Sequence, residues 1–448
     1  MTKLFVFIGM KNVIQKKLAL FFELERYNTT FKIELLAGLT TFLTMSYIIF
    51  VNAHILSLSG MNFGAVFVAT CIVTTIGTFL LGILANYPIA IAPGMALNTY
   101  FTFTIVQGLG FSWQSALGAV FISGVLFCIL TLTKLRHWLI EAIPESLNLG
   151  ISVGVGLFIM LLALKSGGLI KANPNTLITL GNIHTAPTFL FLLGFLIIAT
   201  LDHYKVLGAI LIGILSITLI SILIGESKFY GVFSLPPSIK PTLFALDMKE
   251  VFNFHGVSII FAFVLIGLFD GTGSVVGLLR LKRFSTDPQK PRKISRALFA
   301  DSVATMSGGL LGTSSTSPFI ESESGIRAGG STGLTALTIA FLFLLSLFLL
   351  PLAESIPSYA VAPALLYVGI LMVRNIIDLD REDFSEFIPS IITMTLIPFS
   401  GSIADGLGLG ILSYIVLKLL AGQYKILNRT LMMLGLLFIV YFIFRPQL

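Results

Sequence analysis

Fourteen apolar stretches follow one another between residues 34 and 444, and this succession constrains the fold more than any other feature of the chain. They run approximately over 34–56, 64–85, 88–106, 114–133, 146–164, 187–201, 206–224, 255–279, 297–311, 314–330, 333–352, 361–373, 386–420 and 430–444. A hydrocarbon layer is spanned by roughly 20 helical residues. With no water there to satisfy the backbone, such segments must be helical unless they close into a barrel. The stretch 386–420 is broken at Pro398-Phe399-Ser400-Gly401 and is either one interrupted span or two short ones, so the count is fourteen or fifteen. Charged residues make up 11% of the chain and mean hydropathy is +0.98, where a soluble domain carries about 25% charge. The expectation is an all-α polytopic membrane protein embedded in a lipid bilayer; a soluble enzyme, a disordered chain and a nucleic-acid binder are excluded.

The net charge of +7 reads first as topology. Residues 1–32 mix Lys11, Lys16, Lys17 and Arg26 with Leu18, Phe21, Phe22 and Leu24, a pattern for an amphipathic segment on the cytoplasmic surface. No unbroken apolar core or small-residue cleavage site marks a signal peptide there. The densest basic loop, around Arg280, Lys282, Arg283, Lys290, Arg292, Lys293 and Arg296, is cytoplasmic by the positive-inside rule, as it is by counting eight spans from an internal N-terminus. Lys134, Arg136 and the 374–381 loop follow the same parity, and with fourteen spans both termini are cytoplasmic in the inner membrane. Cys71 and Cys128 lie in separate apolar segments and read as small packing residues.

Two faint echoes run along the chain. Leu80-Leu81-Gly82 with Pro88 recurs as Leu310-Leu311-Gly312 with Pro318, at an offset of 230 (312 − 82 and 318 − 88). Ile143-Pro144 with Gly156 recurs as Ile356-Pro357 with Gly369, at an offset of 213 (357 − 144 and 369 − 156). Their common order predicts a duplicated unit of seven spans, over 33–230 and 255–448 with a linker at 231–254. An odd number of spans per unit inverts the second copy, which is a transporter architecture.

Polar residues at hydrocarbon depth carry the functional information, because each is costly without a partner. Asp270 lies deep in the span Phe261–Ser274, with no cation within two helical turns. Glu321 follows the polar, proline-broken run Thr313-Ser314-Ser315-Thr316-Ser317-Pro318. That run cannot face lipid, so it is expected to line a cavity as extended backbone ahead of a half-helix. Its counterpart is Tyr87 to Asn98, where Pro88, Pro93 and Gly94 interrupt the helix. The two half-helices are expected to meet at the midplane and present free N–H groups. Subtracting 230 from Asp270 lands on Thr40, in the run Thr40-Thr41-Phe42-Leu43-Thr44; these hydroxyls either contact a ligand or bond their own helix carbonyls. Glu323 and Arg327 read as a simple i,i+4 pair. His54, His137, His184, His203 and His255 show no metal-ligand spacing.

At these residues the chain resembles the AzgA-like purine permeases, a branch of the nucleobase:cation symporters. The strings that carry the resemblance are Glu34 to Asn52, Ala85 to Asn98, Leu268-Phe269-Asp270, Gly312 to Ser322, Ala328 to Leu334, and Ala362 to Leu365, in family order from about residue 30 to 420. The resemblance implies two inverted seven-span repeats forming core and gate domains, and substrate residues at Asn98, Asp270 and Glu321 with Thr40, Thr41 and Thr44 nearby. It also implies a homodimer. The chain departs from its relatives at Ser331, where they often carry a basic residue, at Pro318-Phe319, and in the extra acid Glu323.

The expected function is proton-coupled import of a purine base, whether adenine, hypoxanthine or guanine, with no cofactor beyond the coupling proton and sodium as its alternative. Glu321 is expected to accept from the N–H groups of the purine edge. Asn98 is expected to shape the site and Asp270 to carry the proton. The alternatives are another nucleobase, xanthine or uracil, or a small anion; two acids at depth disfavour the anion. A membrane-embedded enzyme would need a nucleophile–base pair or a metal cluster at depth, and neither pattern is present.

Overall fold

Ser46 interrupts the first apolar stretch and splits it into α1 (Phe31–Met45) and α2 (Tyr47–Ser57) in the computed structural model, which describes residues 16–133, 143–173, 175–252, 254–279 and 290–444. The second stretch is α3 (Phe63–Ala85). The third is broken as expected: strand β1 (Ile91–Pro93) leads into α4 (Met95–Thr99), which continues to Gly108 wound as a π-helix. Next come α5 (Trp113–Leu132) and α6 (Glu145–Ser166). A hairpin that the apolar pattern did not signal comes after them, β2 (Ile170–Asn173) paired with β3 (Leu177–Leu180). The first half closes with α7 (Ala186–His203) and α8 (Ala209–Leu223).

The second half runs α9 (Phe254–Leu279), α10 (Lys290–Leu311), β4 (Thr316–Pro318), α11 (Ser322–Arg327), α12 (Gly333–Leu345), α13 (Leu350–Glu354) and α14 (Ser358–Val373). It ends in α15 (Phe384–Ser400), α16 (Ile403–Leu420) and α17 (Arg429–Phe444). The break at Pro398 to Gly401 therefore separates two helices, with Gly401 at φ 63° between them. Helices continuous or nearly so, such as α1–α2 and α12–α13, act as single spans, which makes fifteen membrane-scale elements among the described residues.

Packing sorts these elements into two bodies. α10 packs on α5 and α3, α12 on α3 and α1, α9 on α5 and α11 on α1, which defines a core domain. α6 packs on α14 and α15, α15 on α16, and α7 on α14 and α8, which defines a gate domain. Each repeat thus supplies its first four elements to the core and its next three to the gate.

The repeat symmetry is visible in hydrogen bonds. β1 and β4 pair antiparallel, Ile91 opposite Pro318 and Pro93 opposite Thr316. Gly94 N–H donates to Ser315 O at 3.0 Å and Phe319 N–H to Ala90 O at 2.9 Å; these bonds interchange under an offset of 225 (319 − 94 and 315 − 90). Thr78 Oγ1 accepts Ile91 N–H at 3.0 Å, and Thr305 Oγ1 accepts Thr316 N–H at 3.2 Å, so each strand is clamped by a threonine of the preceding helix. The offset of 230 is therefore five residues out of register here: Gly82 lies inside α3, whereas Gly312 lies in the turn after α10. The offset of 213 is structural, since Pro144 and Pro357 are the N-cap residues of α6 and α14.

One further expectation is revised. The basic residues Lys290, Arg292, Lys293 and Arg296 occupy the first turns of α10 and not a loop. Lys290 Nζ donates to Leu279 O at 2.8 Å and Arg296 Nη1 to Leu84 O at 3.3 Å, so these cations cap the carboxyl ends of α9 and α3. Residues 16–30 fold against the core, with Phe22 and Leu24 packed on Leu334. Residues 1–15, Lys134, Arg136 and the basic run 280–289 lie outside the described residues.

Candidate functional site

A cavity of about 550 Å³ opens between the two bodies, within the rough 300–1,000 Å³ range of small-molecule sites. Its core side carries Thr44, Tyr47, Met95, Ala96, Asp270, Ser274, Ser317, Phe319 and Glu321. Its gate side carries Asp202 and Tyr367 and a run of apolar residues, Ile210, Val368, Leu371 and Met372.

The paired strands bring the site together. Extended backbone at β1 and β4 ends each broken element at the cavity, and α4 and α11 start from it. α4 is preceded by Gly94 in an extended conformation, and Met95 and Ala96, at its first turn, line the cavity with N–H groups that have no acceptor within the helix. In α11 the N–H groups of Ser322, Glu323 and Ser324 bond to Phe319, Ile320 and Glu321 O at 3.1, 2.9 and 3.0 Å, and Ile320 and Glu321, the counterparts of Met95 and Ala96 under the offset of 225, line the cavity as those do.

Asp270 and Glu321 meet in this cavity, each partly open to it. The side chains of Asp270 and Ser317 lie together over Gly94. Glu321 Oε1 accepts the Tyr47 hydroxyl at 2.6 Å. Tyr47 is only 1% exposed overall. An aromatic residue in an apolar run reads as packing from sequence, and its position directly after the polar Ser46 interruption is the signal that marks it. Four carboxylates line the cavity, Asp202, Asp270, Glu321 and Glu323, against one guanidinium, Arg327. Arg327 is paired with Glu323 at 2.6 and 2.9 Å, and Asp202 accepts the Tyr367 hydroxyl at 2.5 Å.

Asn98 is fully buried and does not reach the cavity lining. Its Oδ1 accepts from the Ser314 hydroxyl while its Nδ2 has no partner among the described residues. Asn52 bonds the neighbouring residue in the opposite sense, its Nδ2 donating to Thr313 Oγ1 at 2.8 Å and to Thr70 Oγ1 at 2.6 Å. The two amides thus hold the extended run that leads to β4. Of the three first-span threonines only Thr44 lines the cavity, bonded to Ser324 Oγ at 2.9 Å and to Thr41 O at 2.8 Å. Thr40 donates to Leu36 O at 2.9 Å on its own helix. Thr41 is buried with an unpartnered hydroxyl.

A small second cavity, about 70 Å³, lies between core residues His54, Thr99 and Phe103 and gate residues Ile159, Ser358 and Leu365. The bodies are bonded near it. His54 Nε2 lies 2.9 Å from Ile356 O, and Thr104 Oγ1 donates to Gly401 O at 2.6 Å.

Comparison with known proteins agrees with this architecture. A family model described as "Permease family" matches residues 32–438. The adenine permease AdeP of Escherichia coli is 41% identical over 423 residues, covering 94% of this chain and 95% of that one. The guanine/hypoxanthine permease PbuO of Bacillus subtilis is 39% identical over 427 residues, covering 94% and 99%. Among solved structures, the transmembrane domain of the cyanobacterial bicarbonate transporter BicA superposes with a TM-score of 0.63 at 18% identity, covering 85% of this chain and 97% of that one. That likeness is one of fold.

Proposed function

Given that the chain belongs to the permease family whose model it matches over residues 32–438, in its AzgA-like purine permease branch, we propose that it imports purine nucleobases with a proton by alternating access. It is a multi-pass membrane transporter and not an enzyme. The observation that carries the proposal is the pairing, in one cavity, of two carboxylates without a cation, Asp270 and Glu321, with the free N–H groups of Met95 and Ala96. A purine offers the complement, a planar edge of N–H donors beside ring-nitrogen or carbonyl acceptors. Glu321 accepts from the base, the first turn of α4 donates to it, and Phe319 and the apolar gate residues cover its faces.

Asp270 carries the coupling proton. Among the described residues the one cation lining the cavity, Arg327, is paired with Glu323, so Asp270 is costly to move in its charged form and the core crosses the gate readily when proton and base are both bound or both absent. Relatives named for adenine and for guanine/hypoxanthine support the purine class. The small-anion alternative is disfavoured by the acid excess of the lining, although the fold neighbour is named for bicarbonate. The positive-inside rule supports a cytoplasmic N-terminus. A C-terminus on the same side requires that one of the fifteen elements, such as α17, not complete a crossing. A homodimer in the inner membrane completes the proposal.

The test is uptake of labelled adenine, hypoxanthine and guanine by cells expressing this chain, with and without a protonophore and with sodium replaced. Protonophore-sensitive accumulation of at least one purine is expected. Failure of every purine to accumulate would overturn the proposal, and sodium dependence would replace the proton.

A further inference from the structure

We propose that Tyr47 is an internal stand-in for the substrate, a positioning residue whose hydroxyl partners Glu321 while the carrier is empty and so permits the empty core to return. The inference rests on the purine reading of the Glu321 site. Its observations are independent of it: the Tyr47 hydroxyl donates to Glu321 Oε1 at 2.6 Å, a length typical of a hydroxyl on a carboxylate. The ring is among the largest fully buried side chains, so the phenol is held by packing and only its tip addresses the cavity. Tyr47 heads α2 and Glu321 is the N-cap of α11, and both elements belong to the core. The bond therefore travels with the core.

The gate side of the cavity carries the apolar Ile210, Val368, Leu371 and Met372, and its polar side chains bond one another, Tyr367 to Asp202 at 2.5 Å and Asn375 to Ser152 at 3.1 Å. A carboxylate passing such a face without a donor is strongly penalised, whereas one with a hydrogen-bond partner is penalised less. In the loaded carrier the base supplies that donor. In the empty carrier, among the described residues, the side chain that supplies it is Tyr47. Removing the phenol oxygen then slows the empty return, which net uptake requires on every cycle. It leaves the loaded crossing, which alone supports exchange.

The experiment compares net uptake with exchange in proteoliposomes of the full chain, using labelled hypoxanthine and adenine outside and, for exchange, the same unlabelled base inside. Tyr47→Phe is expected to lower net uptake about tenfold or more, the loss of one hydrogen bond to a charged group, while exchange stays within about threefold of wild type. Tyr47→His keeps a donor and is expected to recover net uptake relative to Phe. Tyr47→Met serves in place of Phe if Phe does not yield monodisperse protein. Equal loss of net uptake and exchange in monodisperse protein, or undiminished net uptake, would overturn the stand-in role alone. Absence of any purine exchange by the wild type would overturn the functional reading and this inference with it.

Discussion

A side chain on Gly94 would collide with Asp270: a Cβ built there stands 2.9 Å from Asp270 Oδ2 and 2.9 Å from Ser317 Oγ. The backbone at Gly94, φ −73° and ψ 131°, is open to any residue, so only space demands glycine. Gly94→Ala is therefore expected to displace the Asp270–Ser317 pair and cut purine uptake about tenfold or more, with a melting temperature close to wild type. Uptake at the wild-type rate would show that the site tolerates the displacement.

Asp270→Asn keeps the shape and a hydrogen-bonding end but cannot exchange a proton. Accumulation against a gradient is expected to vanish, together with its dependence on external pH. Concentrative, pH-dependent uptake by this variant, measured with labelled hypoxanthine, would remove Asp270 from the coupling role.

Gly156 and Gly369 meet where α6 crosses α14. A Cβ on Gly156 stands 2.8 Å from Gly369 O, and one on Gly369 stands 2.7 Å from Gly156 O. Gly156→Ala must push the two helices apart and is expected to destabilise by about 1–3 kcal/mol, read as a lower melting temperature of the purified protein. Gly277→Ala is the control, because nothing lies within 4 Å of a Cβ there, and it is expected to be neutral or stabilising by about 0.5–1 kcal/mol in a helix interior.

At one end of the gate, buried Lys418 bonds Asp383 Oδ2 at 3.1 Å, Glu386 Oε1 at 2.9 Å and Gln423 Oε1 at 2.9 Å. Hydrogen bonding from Ser385, with Lys418 assisting, holds the Asp383 carboxyl below the usual aspartate range. A carboxyl depressed in the folded state contributes stability above its unfolded value, about 3.9, and loses it as pH falls through the lower folded value. Asp383→Asn is thus expected to lower the melting temperature at pH 6–8, and the difference from wild type should shrink below about pH 4. A difference that grows on acidification would contradict the assignment. Lys418→Met is expected to cost more, since it leaves Glu386 without its cation.

The broken third and tenth elements were legible in the sequence because Pro88, Pro93 and Pro318 deny the helix its hydrogen bonds and polar residues surround the breaks. The start of α6 and of α14 was legible for a related reason, a proline at each N-cap. The offset of 230 misled because Leu-Leu-Gly is common in membrane helices and one copy ends its helix while the other does not. Asn98 announced itself as a polar residue in a broken element, but its direction, toward Ser314 and away from the cavity, depends on how the two halves interlock.

The solvent decides what a single sequence can determine. Apolar runs, their interruptions and acids at depth are priced residue by residue against hydrocarbon, so the helical membrane class, the broken elements and the unusual depth of Asp270 and Glu321 could all be read locally. The partners of those acids could not. Tyr47 and Glu321 are 274 positions apart, and Gly94 and Asp270 belong to different repeats. Tertiary structure decided these pairs, because an antiparallel pairing of two three-residue strands across the repeat axis fixes which side chains share the cavity. Spacing along one helix carries no information about it.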